Sequence, residues 1–152
     1  MNFAFQHDVG SFIKAVFGTN NSSQTAGATS SVNGKSFDRH AGERGHSALC
    51  VANARVGLAS GGSFALQLHL EDSADGTNFD DYTDPVTSET LATAAGGAIA
   101  GTQVIATHKA DMATARQYVR MVVAPIFSAS LTDTAELAGS LIIGGLAKLP
   151  AE

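Results

Sequence analysis

The sequence predicts an all-β protein, on three observations. Phe64, Leu66, Leu68 and Leu70 alternate with Ala65, Gln67, His69 and Glu71, a period of two that lines one face of an extended strand with large apolar side chains. Turn signals recur at intervals of roughly ten residues. No segment carries a convincing long helical pattern.

The alternating stretch is the centre of the chain. It stops at Glu71-Asp72-Ser73-Ala74-Asp75-Gly76. Acidic residues, Ser and Gly disfavour a strand, and Asp-Gly is a turn dipeptide because Gly accepts positive φ. Phe79 and Tyr82 offer apolar side chains beyond the turn. The reading is a long core strand, an acidic turn and a short return segment. Burying the four large residues contributes about 1.5 to 3 kcal/mol each.

The flanking elements follow in order. Residues 1–17 contain Phe3, Phe5, Phe12, Ile13, Val16 and Phe17. These residues either pack on the domain core or form an arm that docks on a neighbouring subunit. Residues 18–31, GTNNSSQTAGATSS, have no charge and no large apolar residue, so they read as a loop or flexible linker. The expected organisation is an extended N-terminal arm and linker over 1–31 and a β-sandwich domain over 32–152. In 32–39, Asn33-Gly34 is a turn signal and Val32 and Phe37 face inward. Residues 46–56 form a strand with Leu49 and Val51 on one face and Ala48, Cys50 and Ala52 on the other. The small face implies that something packs closely against it.

Residues 83–101 are weakly specified, with one short strand expected. Residues 102–108 alternate modestly around Val104, and 109–115 form a turn of helix or a loop. Residues 117–127 form a strong strand. Val119, Met121 and Val123 point one way, and Tyr118, Arg120 and Val122 the other. Pro125 cannot donate to a ladder, so the strand ends there or lies at an edge. Residues 135–149 form a last strand with Leu141 and Ile143 on one face, and its glycines argue against a helix. Sheets of this kind pack face to face or close up, because a single sheet leaves one apolar face wet.

Composition narrows the function. The chain has 152 residues, 44% of them hydrophobic and only 15% charged, against a usual quarter or so charged. A surface with few charges suits contact with other subunits. The net charge of −5 argues against nucleic acid, since no basic stripe is available to release counterions. Cys50 is the single cysteine, so no disulfide framework exists. No cleavable signal pattern and no membrane-spanning run is present, so the expectation is a soluble protein made and used without secretion.

No catalytic or metal site is expected. Six carboxylates crowd the acidic turn: Glu71, Asp72, Asp75, Asp80, Asp81 and Asp84. Aligned as an EF-hand, the turn places Tyr82 where a bidentate Glu is required, so a solvated turn is the expectation. None of His7, His40, His46, His69 and His108 forms a close metal pair. His40 and His46 flank a Gly-containing loop with Glu43, read as a surface loop. Cys50 reads as a small hydrophobe, and Ser63 lacks the setting of a nucleophile. Asp38, Arg39 and Arg120 read as structural, with Arg120 pairing a carboxylate across the sheet or at a subunit contact.

Three segments, VNGKSFDRHAGERGHSALCVANARVG, LQLHLEDSADGTNFDDY and ARQYVRMVVAPIF followed by SLIIGGLAKLP, together resemble small structural proteins of tailed bacteriophages. The resemblance covers most of residues 32–150, and the N-terminal 31 residues lie outside it. Some members of that class are capsid decoration, or cement, proteins with a jelly-roll β-sandwich. The resemblance implies a jelly roll rather than an immunoglobulin-like sandwich. It also implies a virion location on the capsid surface, synthesis in the cytoplasm of a host bacterium, and the major capsid protein as partner. A symmetric homo-oligomer, dimer or trimer, is expected, with Phe3, Phe5, Phe12 and Phe17 as interface anchors. No cofactor, nucleic acid or membrane partner is implied. The alternatives are a tail or head-completion protein, or a carbohydrate-binding β-sandwich. The absence of Trp and the presence of only two Tyr disfavour the last.

Overall fold

The computed structural model describes residues 13–41, 45–128 and 132–145, apart from the side chains of Phe17, Asn20 and Asn21. The described residues are all-β, with no helix among them. The elements are β1 (Ile13–Thr25), β2 (Val32–Asn33), β3 (Phe37–Asp38), β4 (Ser47–Leu58), β5 (Ser63–Ser73), β6 (Asp80–Asp81), β7 (Val86–Thr87), β8 (Ala92–Thr93), β9 (Ile99–Asp111), β10 (Tyr118–Phe127) and β11 (Thr134–Gly144).

Two antiparallel sheets form a β-sandwich. The first has the order β1-β11-β4-β9, and the second runs β2-β10-β5-β6, with β3 also on β10 and β7 and β8 also on β5. The pairings are nested. The first strand pairs with the last, β2 and β3 pair with β10, β4 pairs with β9, and β5 pairs with the short segments that follow it.

The core is asymmetric. The second sheet supplies Phe64, Leu66, Leu68 and Leu70 from β5 and Val119, Met121 and Val123 from β10, all at most 2% exposed. Facing them, β4 offers Ala48, Cys50, Ala52 and Ala54 before Val56, and β11 offers Leu137, Leu141 and Ile143. The small face of β4 is therefore the inward face. It makes room for the large side chains of β5, and close packing of this kind favours alternating large and small residues across the interface.

Met121 sets local backbone requirements. It is fully buried, and a Cβ added at Gly18, Gly34 or Gly139 would press on it or on adjacent backbone. Gly34 thus serves close approach: its N–H donates to the carbonyl of Met121, and the next N–H, of Lys35, donates to the carbonyl of Gly18. The Lys35 bond joins the β1 edge of one sheet to the β2 edge of the other.

The expected linker over 18–31 is corrected. Residues 18–25 are the second half of β1, paired with β11 from Thr19↔Gly139 to Thr25↔Thr134. The register shifts after Phe17 and again after Thr19, which breaks any side-chain period. The ladder uses main-chain groups, which every non-proline residue carries, so GTNNSSQT forms a strand without an apolar pattern. Gln24, 6% exposed, closes the following turn: its Oε1 accepts from the N–H of Ser30 at 3.0 Å. Only residues 26–31 remain turn and coil.

Other boundaries also differ. The stretch 83–101 contributes β7, β8 and the start of β9, and β9 continues through Lys109 to Asp111. β10 runs through Pro125 to Phe127. Pro125 lies beyond the part of β10 that β2 and β3 cover, and it faces Leu66 of β5. The core strand, the turn and the return segment are present, but β5 continues through Glu71, Asp72 and Ser73, which pair with β10, and the turn begins after Ser73, with Gly76 at φ 75°.

Candidate functional site

The two outer faces of the sandwich differ in chemistry. On the first sheet, the register aligns Leu49 with Ile142 and Lys109, Val51 with Ser140 and Thr107, and Asn53 with Ala138 and Ile105. Ala15 continues the first of these rows on β1. Ile105 is 58% exposed and Ile13 is 40% exposed. A shallow depression of about 400 Å³ lies among Ile13, Leu49, Lys109 and Ile142. Charges sit at the ends of this face. Arg55 and Glu136 approach to 3.9 Å at one end, with both side chains more than half exposed, a pair of little energetic weight. Lys109 and Asp111 lie toward the other end. The middle is a broad surface of small, apolar and uncharged side chains.

The outer face of the second sheet carries a charged group on β5, β6 and β10. Glu71 stands opposite Arg120 on one side and Asp81 on the other. Arg120 donates from Nε and Nη2 to the same oxygen, Oε2 of Glu71, each at 2.6 Å. Its guanidinium also lies over the Phe79 ring, 4.0 Å from the centroid, a cation–π contact that fixes its plane. Glu71 Oε1 is left facing His69, whose Nε2 lies 3.8 Å away and also 3.2 Å from Asp81 Oδ1. His69 is 8% exposed, and its Nδ1 is buried without a hydrogen-bond partner among the described residues. These three residues bring one imidazole nitrogen and two carboxylate oxygens within 4.8 Å of one another.

The acidic turn is only partly solvated, contrary to the expectation. Asp72 is 6% exposed. It accepts from the N–H and Nε of Arg116 at 2.8 and 2.7 Å, and Arg116 Nη2 also reaches Asp80 at 2.7 Å. The hydrogen bonds that Arg116 donates to Asp72 and Asp80 raise its pKa above the usual value. Asp75 caps the turn by accepting from the N–H groups of Thr77 and Asn78 at 2.8 Å, and these bonds hold its carboxyl well below the usual carboxylate range. Beside this cluster, the buried Arg39 donates to the carbonyls of Gly45, Ala115 and Arg116. Arg39 thereby ties Gly45 to the loop before β10.

The residues singled out in the sequence fall in different places. Phe3, Phe5 and Phe12 lie outside the described residues. Phe17 belongs to β1, with its backbone opposite Ser140 and its side chain outside the description. His40 and His46 are exposed, and Glu43 between them lies outside the described residues. Cys50 is fully buried, and desolvation pushes its thiol up to about 12. Arg120 pairs across the sheet as expected. The convergence of His69, Glu71 and Asp81 is new. The period-two spacing of His69 and Glu71 placed them on one face, but nothing in the sequence paired Asp81 with Glu71.

No family model matches the chain, and no curated protein matches it. Solved structures do. The crystal structure of the PBSX exported protein XepA superposes with a TM-score of 0.51 at 14% identity, over 91% of this chain and 39% of XepA. The likeness is one of fold. The chain thus spans about two fifths of the length of XepA. An infectious bursal disease virus structure of the Gx strain matches with a TM-score of 0.45 at 10% identity, over 86% of this chain and 31% of that one. The enzymatically active domain of bacteriophage CBA120 tailspike protein 4 matches at 0.43 and 6% identity, over 91% and 21%.

Proposed function

We propose that this protein is a non-enzymatic virion structural protein, a capsid decoration or cement protein that binds and stabilises an assembled major-capsid shell. The observation that carries this reading is the outer face of the first sheet, where Leu49, Val51, Ile105 and Ile142 share a wide surface with few charges. Such a face loses little solvation when covered. The resemblance of residues 32–150 to small structural proteins of tailed phages supports the reading independently.

The nested pairing supports a jelly roll. Grouping β2 with β3, and β6 with β7 and β8, leaves eight strands among the described residues. The chain then pairs one with eight, two with seven, three with six and four with five, the order produced by rolling one long antiparallel hairpin into two sheets.

In the proposed mechanism the protein acts as a closed dimer or trimer on the capsid surface. Icosahedral shells repeat one surface many times, so an oligomer holds several shell subunits and linked weak contacts gain avidity. The pairing of β1 with β11 removes the flexible 18–31 tether from this scheme. Any reach to a neighbour therefore starts no later than Ile13, and Phe3, Phe5 and Phe12 are its proposed anchors.

The test is co-sedimentation with purified phage shells, using the full chain and the variants Ile105→Lys and Val51→Lys. Decoration by the wild type and its loss in folded variants is the expected result. Unchanged decoration by both variants overturns the assigned face. Failure of the wild type to bind heads, with cryo-electron microscopy placing it in tails, overturns the capsid reading.

A further inference from the structure

We propose that His69, Glu71 and Asp81 form a binding site for a divalent transition-metal ion of the zinc class. The site lies on the outer face of the second sheet, away from the surface assigned above to shell binding. It is assembled by one hairpin. His69 and Glu71 are two residues apart on β5 and share a face, and β6 returns to place Asp81 directly opposite Glu71.

The separations suit a small ion. Zinc binds nitrogen and oxygen at about 2.0–2.2 Å with tetrahedral geometry, which sets neighbouring ligand atoms about 3.4 Å apart. His69 Nε2 lies 3.2 Å from Asp81 Oδ1 and 3.8 Å from Glu71 Oε1. One imidazole with two carboxylates is a borderline donor set that suits zinc and its neighbours. Calcium takes six to eight oxygen ligands, which this group does not supply.

Two further features single out this cluster among the acidic residues of the turn. His69 is more than nine-tenths buried, its Nδ1 has no partner among the described residues, and its Nε2 faces the two carboxylates. Both carboxylates gather at Nε2, so an ion held at that nitrogen meets all three ligand atoms. In addition, Arg120 takes a single oxygen of Glu71, Oε2, through two donors and leaves Oε1 turned toward His69. Outer residues that fix a ligand in this way orient the metal set. The charges of Glu71, Asp81 and Arg120 sum to −1, so a divalent cation is accommodated without a second positive partner. Asp81, with its side chain 60% exposed, opens the fourth position to water. A bound ion clips the acidic turn onto β5.

The experiment is isothermal titration of the full chain with zinc chloride, with calcium chloride as the comparison. Thermal unfolding is followed in parallel with and without zinc. Three chains are compared: wild type, His69→Gln and Asp81→Asn. Expected are one zinc site per wild-type chain, a rise in its melting temperature with zinc, no calcium site, and zinc binding at least about tenfold weaker in each variant. Asp81 is on the surface, so Asp81→Asn gives a folded test even where His69→Gln does not fold. Absence of zinc binding to the wild type overturns the proposal. Zinc binding that persists undiminished in Asp81→Asn also overturns it, because it places the ion elsewhere, at His7, His40 or His46 for example.

Discussion

Arg120 and Glu71 face each other on neighbouring strands, and both Nε and Nη2 of the arginine reach one oxygen of the carboxylate at 2.6 Å. The side chains are 22% and 16% exposed, so solvent screens the pair weakly. Removing one partner leaves a partly buried charge without its counterpart. Glu71→Gln and Arg120→Met are each expected to cost about 1.5–3 kcal/mol, the range for hydrogen bonds to charged groups. Urea unfolding of the two single variants and the double variant checks this. The pair predicts that the double variant costs less than the sum of the singles.

Met121 against Gly18 and Gly139 gives a packing prediction. Gly139→Ala pushes a methyl group against the Met121 side chain and the Thr19 hydroxyl, and overpacking of this kind costs about 1–3 kcal/mol. Met121→Ala opens a cavity and costs about 2–5 kcal/mol. Shortening Met121 relieves the clash, so the combined variant is expected to be more stable than additivity predicts. Chemical denaturation of the three variants measures the coupling.

Cys50 predicts behaviour at high pH. Its thiol is fully buried and raised by desolvation from 9.0 to about 12. A folded pKa above the unfolded one means that the unfolded chain releases its proton first as pH rises. The contribution is therefore fully present below pH 9.0 and is lost between 9.0 and about 12. Cys50→Ala should flatten the decline in stability across that window. Native protein should also resist an aromatic disulfide reagent at neutral pH and react on unfolding in urea.

His108 predicts the acid side. Burial, aided by the neighbouring His69, lowers its pKa below the usual 6.5. The unfolded chain therefore takes up the proton first as pH falls. This contribution is present above pH 6.5 and is lost as pH falls through the lowered folded value. In His108→Gln the loss of urea resistance between about pH 7 and pH 5 should be smaller than in the wild type. An identical pH dependence in both proteins excludes His108 as its source.

The sequence by itself determined the all-β class and the positions of the main inward faces. Alternation from Phe64 to Leu70 and from Val119 to Val123 marks the face turned to the core, because successive side chains leave a strand on opposite sides. The small face of β4 was legible for the same reason, as was the turn at Asp75-Gly76. Tertiary structure decided everything that depends on which strands are neighbours. β1 extends through GTNNSSQT because β11 offers it a ladder of main-chain groups and because Gly18 fits against Met121. Neither condition leaves a pattern in the strand's own residues. Asp72 of β5 pairs with Arg116 from the loop before β10, and Glu71 of β5 with Arg120 of β10, with Asp81 of β6 on its other side. A run of acidic residues looks alike whether it is solvated or paired, since the pairing cations come from distant parts of the chain. Charge interactions are set by distances of a few ångströms, and only the register of the sheets brings those groups within that range.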